Sequence, residues 1–244
     1  MKNKVIIILI MCVVCSVSLA QEKKWDYTVK PGSNEWAQLT TQDMKVKACQ
    51  IPSEILQQIS TQDLIDLYLN YPLLLNITVF STFQKGMDDL GNNFNGIIEL
   101  YRRDESAKLL KERFIVLSPK NMDPSWTSMQ GFKYALDFVA LELLLSQKEI
   151  LEKFTKDELK LLLINSVQKY NDKKDLIKIY DETGLSTVCF LISSIILKID
   201  PTGLLFSLEE INQMNTRANL NSPGFLNYLD EVDRITNDVT RLIK

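Results

Sequence analysis

The chain of 244 residues contains no histidine. That excludes Ser-His-Asp and Cys-His nucleophilic sites, imidazole general bases, and zinc or iron sites built on imidazole. Only four cysteines are present. Two of them, Cys12 and Cys15, lie in an apolar N-terminal run, so thiolate zinc clusters are excluded as well. Glycine and proline are scarce, with eight and seven copies, which leaves few of the turns that a protein of many short strands needs. No segment alternates apolar and polar residues over strand length, and no glycine-rich phosphate loop is present. The sequence therefore asks for no cofactor and no metal, and its pattern is that of an all-α protein.

What is present begins with MKNKVIIILIMCVVCSVSLAQ. Lys2 and Lys4 precede an apolar run from Val5 to Val17, and Ser18-Leu19-Ala20 supplies small residues at the minus-three and minus-one positions of a cleavage site. Residues 1–20 read as a secretory signal peptide, because the run falls short of the roughly 20 apolar residues that span a bilayer. Lipoprotein processing at Cys12 or Cys15 is disfavoured by Met11 and Val14, which stand where a small residue is wanted. Cleavage after Ala20 removes two lysines and no acid from 28 basic and 31 acidic side chains, leaving a net charge of about −5. The expected location is periplasmic or extracellular, and a mildly acidic exported chain is a poor nucleic-acid binder. The basic run Arg102, Arg103, Lys108, Lys111 and Arg113 is interleaved with acids and reads as a solvated helix face.

Two cysteines remain, Cys49 and Cys189. In an exported protein they can pair, and a loop that long contributes about 4–5 kcal/mol through the unfolded state. Cys189 sits inside LSTVCFLISSIIL, however, where a thiol acts as one more small apolar side chain. Two buried free thiols are the favoured reading, and a Cys49–Cys189 disulfide is the alternative.

The organising stretch runs from Thr41 to Phe83, where one pattern is written twice. TQDMKVKACQIPSEILQQIS and TQDLIDLYLNYPLLLNITVF align Thr41, Gln42, Asp43 and Pro52 with Thr61, Gln62, Asp63 and Pro72. Self-similarity at a fixed period marks stacked supersecondary units. Each copy predicts a short helix pair, with the proline in the first turn of the second helix. Thr40 with Asp43, Ser60 with Asp63 and Ser81 with Gln84 have capping spacing. The architecture expected is stacked short helix pairs, HEAT-like or an irregular helical bundle.

Around this unit, residues 21–38 read as an extended lead-in pinned by Trp25 or Trp36, and residues 39–117 as an N-terminal helical lobe with breaks near Gly91 and Asp104. The segment 118–130 has the composition of a loop between lobes, and residues 131–244 form a C-terminal helical lobe packed on the first. There, Phe132, Leu136, Val139 and Leu143 oppose Phe138, Leu141 and Leu145, the mark of a helix packed between neighbours. Thr155 with Glu158 and Ser207 with Glu210 cap further helices, Lys173 to Asp181 reads as a short one, and Pro223 opens the last. Leu185 to Leu197 is thirteen residues with four hydroxyls, a core helix rather than a membrane span.

Few residues offer chemistry. Ser166 and Lys169 make an S-x-x-K pair, yet a chain with 17 serines and 22 lysines carries about one or two such matches by chance. DLGNNFNG at 89–96 fails as a calcium loop, because Gly91 and Arg102 would occupy ligand positions. Glu142, set among Val139, Leu141, Leu143 and Leu144, is a carboxyl whose pKa burial would raise, although an acid on such a helix is more often paired or solvent-reaching.

The stretch from Trp36 to Leu100, with its ACQIP segment, its threonine-initiated helix running into NYPLL and the later FNG followed by an EL pair, resembles a group of uncharacterised secreted proteins of Gram-negative bacteria. The resemblance covers roughly residues 36–115 and implies export and a helical fold, with no activity or site to carry over. The function expected is that of an exported binding or scaffold protein engaging another protein or peptide. The alternative is a histidine-free hydrolase using paired carboxylates, which needs two acids converging in one cleft. Intact mass or N-terminal sequencing of the exported protein is expected to give Gln21 as the first residue. A start at an acylated Cys12 or Cys15 would refute the cleavage site.

Overall fold

The structure, a computed structural model, describes residues 25–123, 125–220 and 224–243. Residues 1–20, which the sequence predicts to be a signal peptide, and Pro223 lie outside the described residues. The fold is all-α, and among the described residues strand pairing is limited to one isolated bridge between Thr82 and Leu220.

Each copy of the doubled unit forms a helix pair. The first gives α2 (Gln42–Ala48) and α3 (Ser53–Gln58), and the second gives α4 (Thr61–Leu69) followed by a 3-10 helix at Leu74–Val79, with α1 (Asn34–Gln38) ahead of both. The prolines sit slightly earlier than the sequence predicts. Pro52 is the N-cap residue of α3, its carbonyl accepting from Ile55 and Leu56. Pro72 starts a turn closed by Leu74 N–H on Tyr71 C=O, two residues ahead of the 3-10 helix. A fixed φ suits both places, since neither position needs an N–H donor. Ser60 caps α4 as expected, but Thr41 and Thr82, each one residue later than predicted, cap α2 and the next helix, α5 (Phe83–Asn93).

The lead-in is pinned chiefly by Tyr27, which is buried, stacks edge-on between Trp25 and Tyr71, and donates to Leu67 C=O at 3.0 Å. Its last residues are helical, because Ser33 caps α1. Helix α5 (Phe83–Asn93) runs straight through Gly91, and the break falls at Phe94, before α6 (Asn95–Arg102) and α7 (Ser106–Val116). The predicted solvated basic face is only partly so. Arg103 donates to the C-terminal carbonyls of α3, Leu56 at 2.8 Å and Ile59 at 2.7 Å, while pairing with Glu99 at 2.9 Å. Lys111 is buried and pairs with Glu158 at 2.6 Å. A cation at a helix C-terminus satisfies carbonyls that the helix itself leaves open.

Five longer helices follow: α8 (Ser128–Leu145), then α10 (Lys156–Asp175) after the single turn α9 (Lys148–Leu151), then α11 (Ile177–Ile199), α12 (Leu208–Asn219) and α13 (Leu229–Ile243). Thr155 and Glu158 form the predicted capping box of α10, and Ser207 accepts from Glu210 N–H on α12. The expected short helix at Lys173 to Asp181 starts later than predicted: Lys173 belongs to the last turn of α10, and the short helical piece begins at Ile177 and breaks at Asp181. Helix α11 is long and apolar enough to cross a membrane, yet 67% of that window is buried against α8, α10 and α12. Its burial makes it the central helix of the C-terminal half. Helix α8 in turn touches α4, α5 and α7, so one hydrophobic cluster runs from Tyr27 to Val239.

Two glycines of α5 have opposite surroundings. A Cβ on Gly86 would meet the Ile77 carbonyl oxygen at 2.4 Å, whereas one on Gly91 would meet nothing within 4 Å. Gly86→Ala is therefore expected to destabilise by about 1–3 kcal/mol through backbone displacement. Gly91→Ala is expected to stabilise by about 0.5–1 kcal/mol, the ordinary helical gain. Urea unfolding of both variants checks the pair, and equal effects would contradict the close approach of α5 to the 3-10 helix.

Candidate functional site

The second half of α8, from Phe138 to Leu145, is buried on every side. Glu142 is among these residues, and its carboxylate must find partners inside the protein. Lys173, on the last turn of α10, donates to its two oxygens at 2.7 and 2.8 Å, and Thr187 of α11 donates at 2.6 Å. Lys173 spends its third proton on Gly184 C=O at 2.9 Å, and its ammonium lies 4.9 Å from the Phe138 ring centre and 5.5 Å from that of Tyr180. Both charged side chains are fully buried. Burial pushes the Glu142 carboxyl above its usual range and the Lys173 ammonium below its own, while their mutual attraction works against both shifts.

The S-x-x-K pair lies one turn away and is structural. Ser166 is buried and donates back to Leu162 C=O at 2.8 Å, the usual bond of a mid-helix serine. Lys169 donates to the Leu117 carbonyl, lies 4.8 Å from the Phe114 ring centre, and is pushed down to about 8 by burial. Three successive carbonyls of the connector are held this way, since Ser118 accepts from the Tyr134 hydroxyl and Pro119 from that of Tyr180, at 2.8 and 2.9 Å. The expected loop between lobes is thus bound to the helices that follow it.

Above the ion pair the backbone is strained. Within α11, Asp181 has φ 48° and ψ −164° and splits the helix in two. L residues rarely adopt this conformation, which costs about 1–3 kcal/mol. It persists because the Asp181 carboxylate accepts from Thr183 N–H at 2.8 Å and Gly184 N–H at 3.4 Å, capping the helix that resumes there. Gly184 lies so close to Tyr180 that a Cβ would sit 2.9 Å from that residue's own Cβ. Lys173 fixes the same turn from beneath through the Gly184 carbonyl.

A groove of about 620 Å³ opens over this turn, between the 3-10 helix, the first half of α8 and the start of α11. Its floor is Leu136, Val139 and Tyr180, its lips are Leu75, Phe132 and Ile179, and Lys178, Asp181 and the hydroxyls of Ser128 and Thr183 stand at the rim. The lips are exposed, at 46%, 50% and 45% respectively. Phe132 was expected on a buried side of its helix, but α8 enters the core only at Phe138, and its first half is exposed or half-buried. Tyr180 and Gly184 separate the groove from the Glu142–Lys173 pair. Strain, perturbed ionisation and concavity thus coincide at one place, as they do where a protein has a site to maintain.

Comparison with protein-family models, with curated proteins and with solved structures finds no match to this chain. The site therefore has to be read from its own chemistry. Cys49 and Cys189 are both free and buried, and burial raises both thiols, Cys49 to about 11. Residues 89–96 are helical on both sides of Phe94, and no cluster of three potential metal-ligating side chains occurs among the described residues. Acids do converge elsewhere. Asp88, Glu149 and Glu152 line a polar cleft of about 850 Å³ between α5, α6, α9 and α11.

Removing one member of the buried pair strands the other. Lys173→Met is expected to cost about 3–5 kcal/mol, whereas Glu142→Leu combined with Lys173→Met costs far less than either single change. A double-mutant cycle by chemical unfolding measures this, and additive losses would contradict the coupling.

Proposed function

We propose that this chain is an exported helical binding protein that takes the apolar face of a partner's amphipathic helix into the groove between α8 and α11. The observation that carries the reading is the exposure of Leu75, Phe132 and Ile179 as facing lips of one concave apolar surface. Single exposed apolar residues are ordinary, but a row of them around a groove marks a contact surface. An amphipathic helix presents apolar side chains at i, i+3 and i+4, which suits two apolar lips over an apolar floor, and its polar flanks meet Lys178, Asp181 and the rim hydroxyls. The fixed turn beneath keeps the floor in shape before binding, which lowers the ordering cost of association. Export rests on the lysine, apolar-run and Ser-Leu-Ala pattern of residues 1–20.

A second reading is favoured by one observation. Asp88, Glu149 and Glu152 line one cleft together with Tyr101, whose hydroxyl is pushed up by burial and, to a smaller extent, by the charges of Glu149 and Asp88. Two acids in one cleft are what a histidine-free hydrolase requires.

Selection of helical peptides from a displayed library on the purified protein is expected to return sequences with apolar residues at i, i+3 and i+4. Phe132→Glu is expected to weaken them at least about tenfold, the scale of a lost interface anchor, with the circular dichroism unchanged. Selected peptides lacking that periodicity, or insensitive to Phe132→Glu, would sink the groove reading. A panel of glycoside, peptide and ester substrates tests the rival, for which turnover must vanish in Asp88→Asn or Glu149→Gln.

A further inference from the structure

The polar cleft is a different site from the groove, lying where the C-terminal end of α8 turns through Ser146 and Gln147 into α9, opposite α5. At about 850 Å³ it is larger than the groove and falls within the usual size of ligand pockets, about 300–1,000 Å³. We propose that it binds a short neutral oligosaccharide.

The cleft is organised before any ligand arrives. Gln147 is only 4% exposed, and its amide nitrogen is committed to Leu143 C=O at 2.8 Å. Its oxygen accepts from Gln84, whose other amide proton goes to Asp88 at 2.9 Å. Gln84 has thus spent both donors and keeps its carbonyl oxygen free. Asn215 repeats the pattern, donating to Ser193 at 2.9 Å and Ser194 at 3.1 Å. Both leave an acceptor without a partner among the described residues. The Tyr101 hydroxyl and the Asn92 amide, also without partners there, supply donors on the same walls.

This mixture decides the ligand class. A site for ammonium or guanidinium needs acceptors alone, and a site for phosphate needs donors alone. Here amide acceptors and donors without partners line the same cleft, together with three acids and the two lysines Lys148 and Lys198, with Lys148 and Glu152 3.8 Å apart. A sugar hydroxyl is donor and acceptor at once, so it matches such walls at any orientation. Sugar rings also carry apolar C–H faces, and the Tyr101 ring and Leu197 provide apolar wall between the polar groups. Glu149, without a side-chain partner among the described residues, adds a charge-assisted acceptor, the strongest partner a neutral hydroxyl can find.

Isothermal titration of the purified exported protein with maltotetraose, cellotetraose, mannotetraose and N-acetylglucosamine tetramer is expected to show binding of at least one of them. Tyr101→Phe removes only a hydroxyl and should weaken that sugar about three- to tenfold, the worth of one hydrogen bond. Asn92→Ala combined with Glu149→Ala should weaken it further, while Phe132→Glu in the groove changes nothing. The proposal is overturned if none of the four binds at about 10 mM, or if the cleft variants leave the affinity unchanged. It is equally overturned if triarginine or spermidine binds instead and is the ligand that those variants affect. Failure of the peptide selection described for the groove has no bearing on this result.

Discussion

The arrangement of the C-terminal half depends on one ion pair held away from water. A glutamate and a lysine together lose many kcal/mol of hydration on burial, and this is recovered only if every charged atom finds a partner. The pair meets that demand by recruiting three helices at once: Glu142 from α8, Lys173 from α10, and Thr187 with the Gly184 carbonyl from α11. The geometry that satisfies the charges also fixes where α11 begins. A purely apolar contact at this level would tolerate a helix sliding or rotating by a fraction of a turn. A lysine with three committed protons does not, and the strained turn at Asp181 is the local cost of that registration.

The connector between α7 and α8 is bound to the same helices. Its carbonyls accept from Lys169, Tyr134 and Tyr180 in succession, and Lys120 pairs with Asp172 at 2.7 Å. Tyr180 therefore does three things: it ties down the connector, floors the groove, and shields the buried lysine. Groove and core share side chains, so a groove variant has to be chosen at the lips if the fold is to be left intact.

Much of this was legible in the sequence. Fold class followed from missing strand alternation and scarce glycine, and the helix starts at Ser60, Thr155 and Ser207 from capping spacings. Glu142 was visible as a carboxyl among apolar residues. Its partner was overlooked, although Lys173 continues the stripe of Leu159, Leu162, Ser166 and Tyr170 at the next helical step. Two opposite charges on the inner faces of neighbouring helices are a readable signal, but only when the faces are known to meet, and that is a tertiary fact. Asp181-Glu-Thr-Gly offered an N-cap with donors two and three residues on; what hid it was a preceding turn of helix without a proline or glycine to mark the break. The groove left no mark at all, since Phe132 has the same spacing as the buried residues beyond it and differs only in its exposure. The polar cleft was equally silent, because its walls come from residues more than a hundred positions apart.

The segment from Leu117 to Asn121 carries a consequence for anyone who would cut or extend the chain. By composition it is where a designer would open the protein for a circular permutation, a tag or an inserted domain, since polar connectors are the usual tolerant places. Tolerance, however, follows the bonding of the backbone rather than the look of the side chains, and here three consecutive carbonyls are claimed by buried or half-buried donors. An insertion would release two tyrosine hydroxyls and a lysine inside the protein at once.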